Sequence, residues 1–498
     1  MKGTRGKTSS QTIGWMAWVS GGRVILMVVS VASVAILARL LTLEDYGIFA
    51  AAMIFIGIVQ SGMVQGGFPT AVIQRQDLTT LHIRNAFTGM LILHLLVAAL
   101  IWVGSDAIAT FFDMPALADI MRVLCLSILL NPFLALSSAL LKRRKRFRFL
   151  TITDLISTIF ASTAVAIALA WAGFGVWSLV TASITSTVVR TAMMFAAARF
   201  NPIPVITRHM RDLLKLSLGM SLVGALMVLS GQAAKFVIGR ALGADALGLF
   251  NRANRLVDFP KTLLGSPQVL FPVMADMNND KERLARGYLR SIALCALAAG
   301  PLTVLLCHAA DGLVALLLGS QWVAAVGPTA ILSLTLVMML SARVATVVFM
   351  ALGTVRELIV RQSLFTALII AGSIIGTRWG LEGVCVAVVV AYALSYILAI
   401  VLANRLLDTG WRRFARANVP GLLLALPVLV ALVLGETFVW SDVPAIFRFL
   451  IEAAVTGLII YGACFIKPIW FLGPDGIWLV QEVRRRVPSP LRRLIPTF

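Results

Sequence analysis

Arg252 and Arg255 stand three residues apart in a stretch otherwise apolar enough for a membrane helix. Side chains at that spacing leave one side of a helix within about 60° of each other, so the two guanidinium groups can close on a single anion. Arginine binds phosphate oxygens through paired hydrogen bonds and stays ionised at any physiological pH. Asp258 and Lys261 continue the same broad side, so the competing reading is a ladder of local salt bridges in which one acid faces three bases.

Arg23, Lys235, Arg290 and Arg343 interrupt other apolar runs in the same way. Each basic group would cost about 2.5–3.5 kcal/mol or more if it faced lipid at the bilayer centre. They must therefore face water, an acid, or an interface reached by extending the side chain along the helix. The deepest acids are Asp154, Asp258 and Glu452, too few to neutralise the bases, so the interior keeps a positive excess suited to a substrate with fixed negative charge. Starting the first crossing at Val24 would leave Arg23 at an interface, and a small register shift would make Lys261 an interfacial anchor. Arg39 and Arg240 fall near helix ends beside Glu44 and Asp245. A helix-end salt bridge competes there with an outer gate that receives phosphate. Asp258 is the acid to test for ion coupling.

The elements that carry these residues follow from composition. Of 498 residues, 59% are apolar and 13% charged, whereas a soluble domain carries about a quarter charged residues. With about 20 residues needed to cross about 30 Å of hydrocarbon, the chain divides into fourteen apolar runs, from 13–41 to 446–466. The net charge of +21 is distributed by side. Alternate connections, including both termini, hold 27 Lys and Arg, and the opposite set holds only Arg378. Because basic residues are retained in the cytoplasm, the expectation is an even number of crossings with both termini cytoplasmic. The run from Lys142 to Arg148 belongs to that bias first, with anionic headgroups as its functional alternative. Nucleic-acid binding is not expected.

An internal repeat organises the runs. ARLLTLEDYGIF from Ala38 matches GRALGADALGLF from Gly239, setting Arg39 against Arg240, Gly47 against Gly248 and Phe49 against Phe250 at an offset of 201. GFPTAVIQRQD from Gly67 is echoed by LFPVMADMNND from Leu270. Two parallel six-helix units are expected, related by an axis along the membrane normal. The fold class is all-α polytopic, with about 14 transmembrane helices. A first bundle spans 1–205 and a second 206–410 around a central cavity, while 411–498 adds two helices and a basic cytoplasmic tail. The proline-interrupted segment from Arg199 to Asp212 reads as the linker.

These motifs carry a resemblance. ILARLLTLEDYGIFA from Ile36 with GFPTAVIQRQD, and FVIGRALGADALGLFNRANRL from Phe236, are similar to Wzx-type polysaccharide flippases of the multidrug, oligosaccharidyl-lipid and polysaccharide exporter superfamily. The resemblance implies a two-lobed transporter in the bacterial inner membrane. It would move an undecaprenyl-pyrophosphate-linked oligosaccharide by alternating access, with membrane lipids and a polysaccharide polymerase or chain-length regulator as partners.

No phosphate-binding GxxxxGK[ST] motif is present, so no nucleotide cofactor is expected and a proton or sodium gradient would supply energy. The four histidines lack metal-ligand spacing, and the five cysteines sit in apolar runs without a disulfide pattern. A multidrug or organic-cation antiporter would need buried acids rather than buried bases. A membrane polymerase or ligase would need a long outer loop, which these short connections do not supply.

Overall fold

In lipid no water satisfies a backbone N–H or C=O, and a continuous apolar run of about 20 residues meets that need within its own segment by becoming a helix. The computed structural model describes residues 5–58, 68–75, 77–207, 209–264, 271, 274–278, 280–440, 443–466, 471 and 473–486. Some side chains inside these ranges, among them those of 5–20, Arg23, 209–223 and 261–264, fall outside the description. The helices are α1 (Arg5–Leu40), α2 (Leu43–Ile58), α3 (Phe68–Gln74), α4 (Thr80–Phe112), α5 (Leu117–Arg143), α6 (Phe147–Ile156), α7 (Val165–Trp171), α8 (Val176–Ala198), α9 (His209–Ala241) and α10 (Gly243–Leu264). They continue as α11 (Lys281–His308), α12 (Ala310–Leu317), α13 (Val326–Ser333), α14 (Thr335–Leu352), α15 (Val355–Gly376), α16 (Gly380–Leu407), α17 (Trp411–Phe438), α18 (Ala445–Ile466) and α19 (Gly473–Arg486). Among the described residues there is no strand, and a helix lies on each of the fourteen expected runs. The chain is a multi-pass membrane protein. Val103, Trp171, Leu422 and Phe438 are among the large apolar side chains left exposed, an arrangement that lipid, not water, accommodates.

Local chemistry sets several boundaries. Thr42 and Asp45 form a reciprocal cap on α2, with Thr42 N donating to Asp45 Oδ2 at 3.0 Å and Asp45 N donating to Thr42 Oγ1 at 3.1 Å. His82 takes the equivalent part on α4, where Thr79 N donates to its Nδ1 at 3.2 Å. Such caps satisfy backbone donors that have no intrahelical partner. Between α6 and α7 the chain stays helical but widens to a π-helix over Ser157–Ala164, a form that recurs at functional sites.

The chain forms two compact units, Met1–Asn251 and Arg252–Phe498. In the first, α5 packs with α4 and α8, and α9 packs with α2 and α4. The linker after α8 is bound to α4: Asn85 Oδ1 accepts from Thr207 N at 2.8 Å, Thr88 Oγ1 accepts from Val205 N at 2.7 Å, and Arg84 Nε donates to Ile203 O at 3.0 Å. The repeat is visible in three dimensions. A Cβ on Gly47 would collide with the Ala244 carbonyl, and one on Gly248 would collide with the Leu43 carbonyl. Because Leu43 and Ala244 are themselves one repeat apart, equivalent glycines make equivalent contacts, as a local two-fold requires. Pro272 of the second motif pair lies outside the described residues.

In the second unit α11 packs along α17, α16 packs with α14 and α15, and α12 packs with α18. The short helix α19 returns to α11.

Candidate functional site

The first unit builds a polar cavity of about 210 Å³ from three helices. Thr70 comes from α3, Asn131, Ser138 and Lys142 from α5, and Arg190 from α8. The helix α3 opens with the Phe68–Pro69 pair that the sequence repeats, and Thr70 follows it. Arg190 Nη2 lies 2.8 Å from Asp154 Oδ1. Asp154 stands on α6 just before the π-helical turn, which shifts the register of the face that follows. One acid thus meets two bases, leaving one positive charge of excess in a recess walled by helices. Such a recess focuses the field on an anion.

The second unit holds a cation in its core. Arg361 on α15 is 6% exposed. Its Nη1 donates to Ser395 Oγ at 3.3 Å and its Nη2 to Thr346 Oγ1 at 3.0 Å. No carboxylate pairs with it among the described residues. Thr346 lies three residues beyond Arg343 on α14, and Ser395 three beyond Tyr392 on α16. The Tyr392 hydroxyl feels the charges of both Asp258 and Arg343. Arg361 is thus buried between α14 and α16, while Asp258 of α10, Arg343 of α14 and Tyr392 of α16 are half-buried groups within electrostatic reach of one another. By contrast, a cavity of about 600 Å³ along α15 and α16 is walled mostly by apolar side chains such as Leu368, Ile375, Val386 and Val390, with Glu382 as the charged group of its lining.

The residues singled out from sequence distribute as follows. Arg343 is half-buried and joins the region around Tyr392. On α10, Arg252 is half-buried, Arg255 is exposed with its guanidinium 5.4 Å from the Phe259 ring centroid, and Asp258 accepts from Asn254 Nδ2 at 3.1 Å. Arg290 faces α19, with its Nε 3.3 Å from Asp475 Oδ1 and its guanidinium 3.5 Å over Trp478. Lys235 is half-buried on α9. Arg39 is exposed at the end of α1, and Arg240 lies 5.2 Å over Phe111, inside an aromatic group with Phe112 and Phe236. The side chains of Arg23 and Lys261 lie outside the described residues.

Arg361 and Arg190 are not among the residues singled out from sequence, and Lys142 is assigned there to the charge bias first, with anionic headgroups as the alternative. Arg361 stands near the start of its apolar run and so reads as interfacial. The signal available was the pair of polar residues Gln362 and Thr366 close after it, which are buried with it on the same broad side of α15.

The polysaccharide biosynthesis protein family matches residues 36–327, more than half of the chain. This chain belongs to that family. Its relatives include the succinoglycan biosynthesis transport protein ExoT of Rhizobium meliloti (strain 1021), 29% identical over 64% of this chain and 64% of ExoT. The teichuronic acid biosynthesis protein TuaB of Bacillus subtilis (strain 168) is 24% identical over 64% of this chain and 66% of TuaB. These alignments span just under two thirds of each relative. Among solved structures, the lipid II flippase MurJ in an inward closed conformation superposes with a TM-score of 0.74 at 14% identity, covering 91% of this chain and 99% of MurJ. An inward-facing multidrug resistance transporter of the MATE family gives 0.63 at 17% identity, over 77% and 94% of the two chains. The family member described here therefore has the fold of those membrane transporters.

Proposed function

We propose that this chain is a flippase for an undecaprenyl-pyrophosphate-linked oligosaccharide. It carries the repeat unit from the cytoplasmic to the periplasmic leaflet of the bacterial inner membrane for exopolysaccharide, capsule or O-antigen export. The observation that supports this reading is the basic polar cavity of Lys142 and Arg190 in a chain of a polysaccharide biosynthesis family. A diphosphate brings two or more negative charges, and charge-assisted hydrogen bonds from arginine and lysine hold it. The polyprenyl tail stays in the bilayer. Rocking of the repeat bundles 1–205 and 206–410 changes the side on which basic groups meet water, while 411–498 supplies two additional membrane helices, α17 and α18, and a basic tail that carries the short helix α19. Both termini are cytoplasmic. A proton or sodium gradient drives the cycle, with Asp258 the residue of α10 to test for coupling. A polymerase and a chain-length regulator would receive the product.

The test is translocation of a fluorescent lipid-linked oligosaccharide by the purified protein in liposomes. Each charge-assisted contact is worth about 1.5–3 kcal/mol, so Arg190→Ala and Lys142→Ala should each slow transfer by about ten-fold or more. Arg255→Ala with an unchanged rate removes that residue from the mechanism. A double Lys142→Ala, Arg190→Ala variant with an unchanged rate overturns the reading of the cavity.

A further inference from the structure

A second titratable cluster lies in the Arg252–Phe498 unit, at the ends of the helices away from the Lys- and Arg-rich connections. His308 is the last residue of α11, Asp311 is in the first turn of α12, Glu436 is near the end of α17, and Arg448 and Glu452 are in the opening turns of α18. An apolar group of Leu305, Ala309, Val428 and Leu432, backed by Phe449 and Ala453, holds these helices together beneath it.

We propose that His308, Glu436 and Glu452 form a site that binds and exchanges one proton. His308 Nε2 stands 3.1 Å from Glu436 Oε2 and 3.6 Å from Glu452 Oε1. One nitrogen thus faces two carboxylates that differ sharply in access to water. The Glu436 side chain is 46% exposed, that of His308 15%, and that of Glu452 2%. Among the described residues Glu452 Oε2 is buried with no partner in hydrogen-bond geometry, and the Trp440 indole stands beside the carboxyl. The cluster therefore runs inward from a wet carboxylate, through an imidazole, to a dry carboxyl that ends it.

Charge balance calls for the proton. Arg448 stands one turn before Glu452 on α18, yet its terminal nitrogens go to Asp311 and to Glu436, the latter at 3.2 Å. Among the described residues, three carboxylates face one guanidinium and one imidazole. With His308 protonated the group keeps one negative charge, and one more proton makes it neutral. A buried ionised carboxylate without a committed cation is strongly disfavoured, so Glu452 is where that proton rests. In the exchange, the imidazolium passes its Nε2 proton to the Glu452 carboxylate, leaving neutral imidazole and a carboxylic acid. Glu436 then returns a proton from water to Nε2. The other groups around the site, Trp440 before α18 and Thr456 one turn after Glu452, carry no charge. Asp442 lies outside the described residues.

The inference does not depend on what the protein translocates, and its test needs no substrate. Infrared difference spectra of the full-length protein in lipid nanodiscs, recorded through a pH titration, read the C=O stretch of a protonated carboxylic acid directly. A band that disappears as pH rises is expected, absent in Glu452→Gln and kept at a shifted frequency in Glu452→Asp. In His308→Asn its midpoint should move up by about one pH unit or more, because the nearby imidazolium that favours the carboxylate is gone. Glu452→Asp also serves if the glutamine variant fails to fold, since a spectrum identical to the parent would then place the band elsewhere. The proposal is overturned if no such band titrates in the parent protein, if the band persists in Glu452→Gln, or if sodium at constant pH abolishes it, which would make the site a metal-cation site.

Discussion

Arg361 and Arg190 pose opposite problems at the scale of single residues. Arg190 has a carboxylate and an open polar cavity beside it, whereas Arg361 is buried with two hydroxyls. Replacing a buried ion pair by apolar side chains of similar volume is often neutral or stabilising by about 1–4 kcal/mol, and a buried charge with no acid beside it costs more to keep than a pair. Thr346 would keep a partner, because its hydroxyl also donates to Ala342 O at 2.9 Å, and the Ser395 hydroxyl would lose a weak contact of 3.3 Å. Arg361→Met should therefore keep or raise the thermal midpoint in a melting experiment. If Arg361 attracts the anionic substrate, the same variant should lose transport by about ten-fold or more, so the two readouts separate a structural from a binding role. Asp154→Asn tests the first unit in the opposite sense. It frees Arg190 from its partner, and a diphosphate headgroup should bind the variant more tightly in a titration of the purified protein, with slower release.

At the scale of elements, the crossing of α2 and α10 depends on Gly47 and Gly248. A methyl group at either position meets a backbone carbonyl rather than a side-chain end that can swing away. Overpacking of this kind costs about 1–3 kcal/mol. Gly47→Ala and Gly248→Ala should lower the melting temperature by similar amounts, because the two contacts are copies of one geometry. A marked inequality would mean that the local two-fold does not extend to the packing. The repeat was legible in the sequence because an offset of 201 preserved glycine and phenylalanine in order. That the paired glycines face each other's helices was not, since a repeat fixes what is equivalent and leaves open what touches. The π-helical turn after Asp154 was illegible for a related reason: Ser157–Ala164 reads as ordinary apolar helix, and its wider i to i+5 bonding lies where the segment packs against α8 and α1.

At the scale of the whole molecule, the partition of charge among the connections predicts which ones water-soluble reagents reach from each side. Single cysteines in a cysteine-free background at Asp113 and Ser441 should react with an impermeant reagent applied to intact cells. Cysteines at Lys145 and Arg413 should react only after the membrane is opened. Labelling of Lys145→Cys from outside would reverse the assignment of sides. The count of fourteen runs, the alternation of basic connections and the family likeness were fixed by composition and order, because hydrophobic length and lipid solvation act on each segment separately. Which bases share a recess was decided only by tertiary packing. Distance from the end of an apolar run measures depth, but it does not say which way a side chain points or whether α19 comes back to take Arg290, as it does here. Neither Arg361 against Ser395 nor His308 against Glu452 is near in sequence, and their energies depend on exclusion from water that no single segment can provide.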